Sequence, residues 1–350
     1  MPKLSVIMCS YNHAPFVGAA IASVLNQSFQ DFELVITDDG SRDGTADVIR
    51  GISDPRIRFH AFPENRGACV AANDTLARVQ GEYVAVLNSD DYFLPGKLER
   101  QVRFLDGHRD VGAVFGLPQF VAENGQPFHN PTHAFARIFT SENRSRVAWL
   151  KHFFYSGNCL CHPTIMLRKA CYDRVGRFDP LLMQLPDLDL WVRLCKAYEI
   201  HILPEPLTAM RVLDRHSNTS APSPARLARS AWETSFVLGH YSSLPEQELR
   251  EIFAGAPGQA EGKSPVISLA LEALRVGKPG YIPFGLSLLH DCLRRDPGCF
   301  SYGEYFRLVG ELDPFTVQFF GREYQLLKKS RVVGAARNLS RWWRSRNFRG

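Results

Sequence analysis

Through its first hundred residues the chain alternates between short runs of consecutive apolar residues and stretches where apolar residues recur every three to four positions. Leu4–Cys9, Phe32–Thr37, Ile57–His60 and Tyr83–Leu87 are of the first kind and predict buried strands. Phe16–Leu25, Thr45–Ile52 and Ala68–Val79 are of the second and predict helices, with a further one over Lys97–Leu105. Strand and helix in strict alternation predict β-α-β units: an α/β fold with a mostly parallel sheet and helices on both faces. Ligands of such sheets bind beyond the carboxyl ends of the strands. The polar clusters that follow strands, Ser10-Tyr11-Asn12, Asp38-Asp39-Gly40-Ser41 and Asn88-Ser89-Asp90-Asp91, are therefore the places to look for chemistry.

Beyond residue 110 the pattern is mixed, with strands expected at Val111–Leu117, Thr164–Leu167 and Leu207–Val212 and helices near Val147–Phe154 and Asp187–Tyr198. The clearest linker is Ser217–Pro224, and the sequence after it is helical, punctuated at Gly255–Pro265 and Gly277–Pro283. Three regions follow: an α/β domain over 1–221, a helical region over 222–330 and a basic amphipathic tail over 331–350.

Charge sharpens that division. The net charge of the 350 residues is +5, yet Arg322 to Gly350 alone holds nine Lys/Arg against one Glu, which leaves the remainder mildly acidic. A binder of long nucleic acids spreads such charge over its folded face, so no nucleic-acid partner is expected. Eight cysteines scattered through apolar segments, without the dense even spacing of a disulfide scaffold, fit a reducing, cytoplasmic setting. The opening apolar run is too short for a signal peptide, and no stretch approaches the roughly 18–20 apolar residues that span a bilayer. Membrane contact, if made, is peripheral, on the inner face of the cytoplasmic membrane. In the tail, Val332, Ala336, Leu339 and Trp343 form an apolar stripe among Arg331, Arg337, Arg341, Arg344 and Arg346, which suits an anionic membrane surface and equally a helix packed on its own domain.

Three constellations carry candidate chemistry. Asp38 and Asp39 at a strand end can accept hydrogen bonds from a base N–H or ribose hydroxyls, while the turn and helix-cap residues around them also satisfy ordinary turn chemistry. Asn88, Asp90 and Asp91 present hard oxygen ligands of the kind that hold Mg²⁺ or Mn²⁺ together with substrate phosphates, or a turn before the next helix. Asp187 and Trp191 stand four apart on one helix, which sets a carboxylate above an aromatic surface suited to a sugar, whereas Leu188, Val192 and Cys195 mark the core face. Cys159-Leu160-Cys161-His162 lacks a second ligand pair for zinc and reads as core, with His162 bordering an acceptor site.

Taken together, Ser5-Val6-Ile7-Met8-Cys9-Ser10-Tyr11-Asn12, Asp38-Asp39-Gly40-Ser41, Glu64-Asn65-Arg66-Gly67, Asn88-Ser89-Asp90-Asp91-Tyr92, Gly176-Phe178-Asp179 and Asp187-Leu188-Asp189-Leu190-Trp191-Val192-Arg193 resemble glycosyltransferase family 2, over about residues 3–220. The resemblance implies a GT-A fold, a nucleotide-diphosphate sugar donor (a UDP-sugar first), Mn²⁺ or Mg²⁺, and inverting transfer to a glycan or lipid-linked saccharide, as in cell-surface polysaccharide synthesis. Position by position it implies that Ser10, Tyr11 and Asp38 line the nucleoside site, with Asp39 a second candidate and Ser89 beside them. Arg66 would lie near the base or diphosphate, Asp90 would be the main metal-binding carboxylate, with Asn88 and Asp91 at its sides, and Asp187 would be the catalytic base. Three positions depart from the pattern, one of them Pro186, which stands where a Glu often precedes the base. Asn88 stands where the first acid of the D-x-D motif usually is, and Leu213 replaces a customary histidine, for which His216 is the candidate substitute. The rival readings are a nucleotidyltransferase, which usually has a Gly-rich basic loop where Ser10–Pro15 stands, and a non-catalytic nucleotide-sugar-binding protein.

Overall fold

The computed structural model describes residues 1–128, 130, 138–139, 142–213, 223–256 and 262–311. The tail 331–350, His216 and most of the linker lie outside the described residues. Two compact units divide the chain, Met1–Ala221 with Ser243–Ile252, and Pro222–Ser242 with the residues from Phe253 onward.

The first unit is built on one eight-stranded sheet: β1 Leu4–Ser10, β2 Phe32–Asp38, β3 Ile57–Ala61, β4 Tyr83–Asn88, β5 Tyr92–Phe93, β6 Val111–Ala122, β7 Met166–Arg168 and β8 Glu199–Val212, in the order β3-β2-β1-β4-β7-β6-β8-β5. Its helices are α1 Ala14–Leu25, α2 Thr45–Arg50, α3 Ala68–Arg78, α4 Lys97–Gly107, α5 Arg146–Ser156, α6 Lys169–Val175 and α7 Pro186–Cys195. The first four strands pair in parallel. Beyond β4 the sheet is mixed: β7 runs antiparallel to both β4 and β6, and β5 antiparallel to β8, while β6 and β8 are parallel.

β1 and β2 are apolar almost throughout because helices cover both faces of a parallel sheet. α1 turns Val17, Ala20, Ile21 and Val24 into the core, and burial of each branched side chain contributes about 1.5–3 kcal/mol. An acid enters this interior near the start of β2. Glu33 of β2 is buried but accepts from Ser5 Oγ at 2.6 Å, Arg58 Nη1 at 2.7 Å and the Gln80 N–H at 2.6 Å, so its charge is matched.

The long β8 departs from the sequence expectation. Pro204 and Pro206 argue for a break before Leu207, yet the strand runs from Glu199 and absorbs the prolines where its register against β6 shifts, between Phe115 and Leu117.

The second unit holds α8 Pro224–Gly239, α10 Pro265–Val276, α11 Tyr281–Arg295 and α12 Tyr302–Glu311, whereas α9 Glu246–Ile252 belongs to the first. Ser223 and Ser264 cap α8 and α10 by accepting the N–H of the third residue on, each followed by a proline. Ile267, Ala270, Leu289, Leu293 and Phe300 form its core. Among the described residues no helix is long and apolar enough to cross a membrane.

Candidate active site

Strand register brings the three N-terminal motifs to one edge. Ser10 pairs with Asp38 and Cys9 with Asn88, so β1, β2 and β4 release their polar tails side by side.

On the β2 side the loop is tightly stitched. Asp38 accepts from Ser10 Oγ at 2.8 Å, the Ser41 N–H at 2.8 Å and Ser41 Oγ at 2.6 Å, while Asp39 accepts from Asn65 Nδ2 at 3.0 Å and the N–H groups of Arg66 (2.7 Å) and Gly67 (3.0 Å). Both acids are buried. The close approach of these two loops requires Gly40: its φ is +73°, and a Cβ there would stand 2.4 Å from the Glu64 carbonyl carbon. Asn12, also left-handed at φ 53°, accepts from the Arg42 N–H at 2.9 Å and sends its own N–H to Ser41 Oγ at 2.8 Å. Tyr11 and Arg66 are exposed beside this frame, the Arg66 guanidinium 4.9 Å from the centre of the Phe62 ring.

On the β4 side the frame is looser. Ser89 is buried and its Oγ lies 2.8 Å from His13 Nδ1, which ties this loop to the start of α1. Asp91 is also buried, accepting from Asn88 Nδ2 at 2.9 Å and the Arg211 N–H at 2.8 Å. Burial, with the charge of Asp90 beside it, pushes the Asp91 carboxyl well above the usual range. Asp90 is half-buried, and no hydrogen bond to its carboxylate is found among the described residues.

That donor set decides whether a divalent cation fits. Asp91 is engaged by protein donors, and no group of three His, Cys, Asp or Glu suited to a metal occurs among the described residues. What remains is one open carboxylate at Asp90 and the Oδ1 of Asn88, whose Nδ2 already faces Asp91. A hard cation that keeps several waters and takes further oxygens from a substrate phosphate fits such a sparse set.

The fourth element is α7. Asp187 sits in its first turn, half-exposed, where the helix dipole favours a carboxylate. Asn158 Nδ2 donates to its Oδ2 at 2.7 Å and the Leu188 N–H to its Oδ1 at 2.7 Å. Its neighbour Asp189 is buried in an ion pair with Arg193, whose guanidinium also holds the carbonyls of Val175, Gly176 and Arg177. Burial drives the Cys161 thiol well up, and the charges of Asp91 and Asp187 act in the same direction. Cys161 Sγ also lies 3.8 Å from Met210 Sδ, next in sequence to Arg211, whose N–H meets Asp91, and Cys161 follows closely on Asn158, which meets Asp187, so the acid loop and α7 are tied to one stretch of chain.

Two residues expected on the acceptor side pack against interior rings instead. Trp191 is fully buried with its ring 5.0 Å from that of Phe115, edge to face, so it offers no sugar platform. Four-residue spacing does put it below Asp187, but α7 is covered on nearly every side after its first turn. His162 packs 6.0 Å from Trp191 and 5.7 Å from Phe178. Its Nε2 is buried without a hydrogen bond, and burial pushes its pKa down to about 4, which makes it a neutral ring in the core. Cys159 and Cys161 are buried too, as small core residues. Asn158 and Arg211 carried no signal in the sequence; both act through partners far away in the chain.

A mixed sheet with polar loops at the carboxyl ends of β1, β2 and β4, acid-bearing at the last two, and a half-exposed carboxylate in the first turn of α7, matches a GT-A-type α/β domain. A family model described as glycosyl transferase family 2 matches residues 5–166. An uncharacterized glycosyltransferase of Nostoc sp. is 31% identical over 228 residues, covering 63% of this chain and 68% of that protein. The chain belongs to glycosyltransferase family 2. Other curated relatives are matched over 43% and 53% of their own length. Among solved structures, S. aureus TarS residues 1–349, in a complex with UDP-GlcNAc, superpose with a TM-score of 0.53 at 18% identity over 82% of this chain and 83% of that one. The mannosyltransferase PcManGT of Pyrobaculum calidifontis, in a complex with GDP-Man and Mn²⁺, gives 0.53 at 16% identity over 97% and 87%.

Proposed function

We propose that this glycosyltransferase inverts the anomeric centre as it moves a sugar from a nucleotide-diphosphate donor, a UDP-sugar first among them, to a hydroxyl of a glycan or lipid-linked saccharide. The observation that carries this reading is the Asp187 carboxylate, half-exposed in the first turn of α7 and oriented by Asn158 and the Leu188 N–H. Asp187 takes the proton of the acceptor hydroxyl as that oxygen attacks the anomeric carbon, and the bond to the diphosphate breaks on the opposite side. Ser10, Tyr11 and Arg66 border the nucleoside, with Asp38 and Asp39 shaping the loops that present them. A divalent cation, Mn²⁺ or Mg²⁺, held by Asp90 and Asn88 Oδ1 would offset the charge gathering on the departing diphosphate.

A thermal-shift panel of UDP-, GDP- and dTDP-sugars with each cation identifies the donor, since a ligand at 100 times its Kd stabilises by about 2.7 kcal/mol. Asp187→Asn then separates chemistry from binding. Transfer should fall by roughly 10²–10⁴ while the donor-induced shift persists. Turnover at the wild-type level in that variant removes Asp187 from the role.

A further inference from the structure

Arg211, next to last in β8, is 6% exposed, and its bonds converge on the acid loop from a distant part of the chain. Its N–H donates to Asp91 Oδ1 at 2.8 Å and its Nε to the backbone carbonyl of Asp90 at 2.8 Å. Nη1 reaches the Glu123 carbonyl at 2.6 Å, just past β6, and that of Ala122, its last residue, at 3.4 Å. The guanidinium lies 4.9 Å from the Phe16 ring centre in α1 and 5.8 Å from that of Tyr92 in β5. One side chain thereby joins β8, the 88–91 loop, the end of β6 and α1.

Burial of an arginine is costly unless its donors are matched, and here Nε and Nη1 are matched by carbonyls whose positions they in turn fix. The Asp90 carboxylate is held by no such partner among the described residues, so its direction depends on its backbone. We propose that Arg211 is a positioning residue: it sets the backbone of Asp90, and through Asp91 the course of the loop, so that the Asp90 carboxylate meets a divalent cation carried by a nucleoside diphosphate. The cation's part in this rests on the reading of Asp90 given above; the hold on the loop does not. A lysine in its place keeps the charge, but a point ammonium cannot fork to carbonyls on two segments while resting over two rings.

Arg211→Lys tests this with readouts apart from turnover. Mn²⁺ affinity of the UDP-loaded protein, followed by electron paramagnetic resonance, should weaken at least tenfold. UDP affinity without metal should stay at the wild-type value, and amide exchange in 88–92 should quicken while β1 and β2 stay protected. Phe16→Leu, which removes one ring face and leaves every donor in place, should shift Mn²⁺ affinity the same way by a smaller factor; it also serves if the lysine variant does not fold. Unchanged exchange at 88–92 overturns the proposal. A loss of UDP affinity without metal also overturns it, by making Arg211 a direct ligand of the diphosphate. A wild type that binds UDP but no Mn²⁺ sinks the cation reading of Asp90, and one that binds neither UDP nor GDP sinks the nucleotide reading. In both cases the exchange measurement still decides whether Arg211 holds the loop.

Discussion

Asp38-Asp39 at the end of β2 and Asp90-Asp91 just past β4 look alike in sequence, two adjacent acids at a strand end followed by a turn. Around the first pair, six hydrogen bonds from hydroxyl, amide and backbone donors occupy both carboxylates. Around the second, only Asp91 is so engaged among the described residues, and Asp90 stands open to them. Whether an acid is free to meet a ligand depends on the donors that the neighbouring loops supply. Asn88 contributes to that difference: its amide donates to Asp91, a bond that an aspartate there could not make without a proton.

Removal of one acid from each pair sharpens the contrast. Asp38→Ala strips three donors of their acceptor in a buried site, and unpaired buried groups cost roughly 1–3 kcal/mol each before relaxation, so a loss near 3 kcal/mol in denaturant unfolding is expected. An Asp38→Ala protein with wild-type stability would place Asp38 among the open acids. Asp90→Asn should leave unfolding within about 0.5 kcal/mol of wild type, as surface changes away from structural features do. Its effect belongs in Mn²⁺-dependent turnover, where a loss of about a hundredfold, or 2.7 kcal/mol, is expected. A stability defect there without a shift in metal dependence breaks the contrast.

The four leading strands and their helices were legible because a sheet covered on both faces needs unbroken apolar runs, and Leu4–Cys9 or Tyr83–Leu87 can hardly be anything else. The edge on which the site stands followed from that parallel order. Less could be read past residue 110, where β8 crosses two prolines at a register shift that depends on β6. Side-chain placement was legible only where it depends on local chain direction. Asp187 is in the first turn of α7 as its sequence predicts, but the burial of Trp191 comes from Phe115, 76 positions earlier, and no spacing within one helix encodes it. Arg211 was silent for the same reason: its partners are Asp90, Asp91, Glu123 and Phe16.

Asp91 occupies the middle ground between the two pairs, buried like Asp38 but with fewer donors, and its titration says to which it belongs. A carboxyl whose pKa is raised in the fold binds its proton there before the unfolded chain does. Stability from this group is therefore fullest below the ordinary value of 3.8 and is lost as pH rises through the raised one. Asp91→Asn can keep an acceptor for the Arg211 N–H and carries no charge. At pH 7 it should be at least as stable as wild type, by about 1 kcal/mol, and the gap should close on acidification with a slope of at most about 1.4 kcal/mol per pH unit, the value for one proton. Urea unfolding of both proteins between pH 4 and 8 gives the comparison directly. If the wild type instead loses stability relative to Asp91→Asn as pH falls, the charged form is the one the fold prefers. Arg211 and Asn88 then outweigh burial, and Asp91 is a saturated acid of the Asp38 kind.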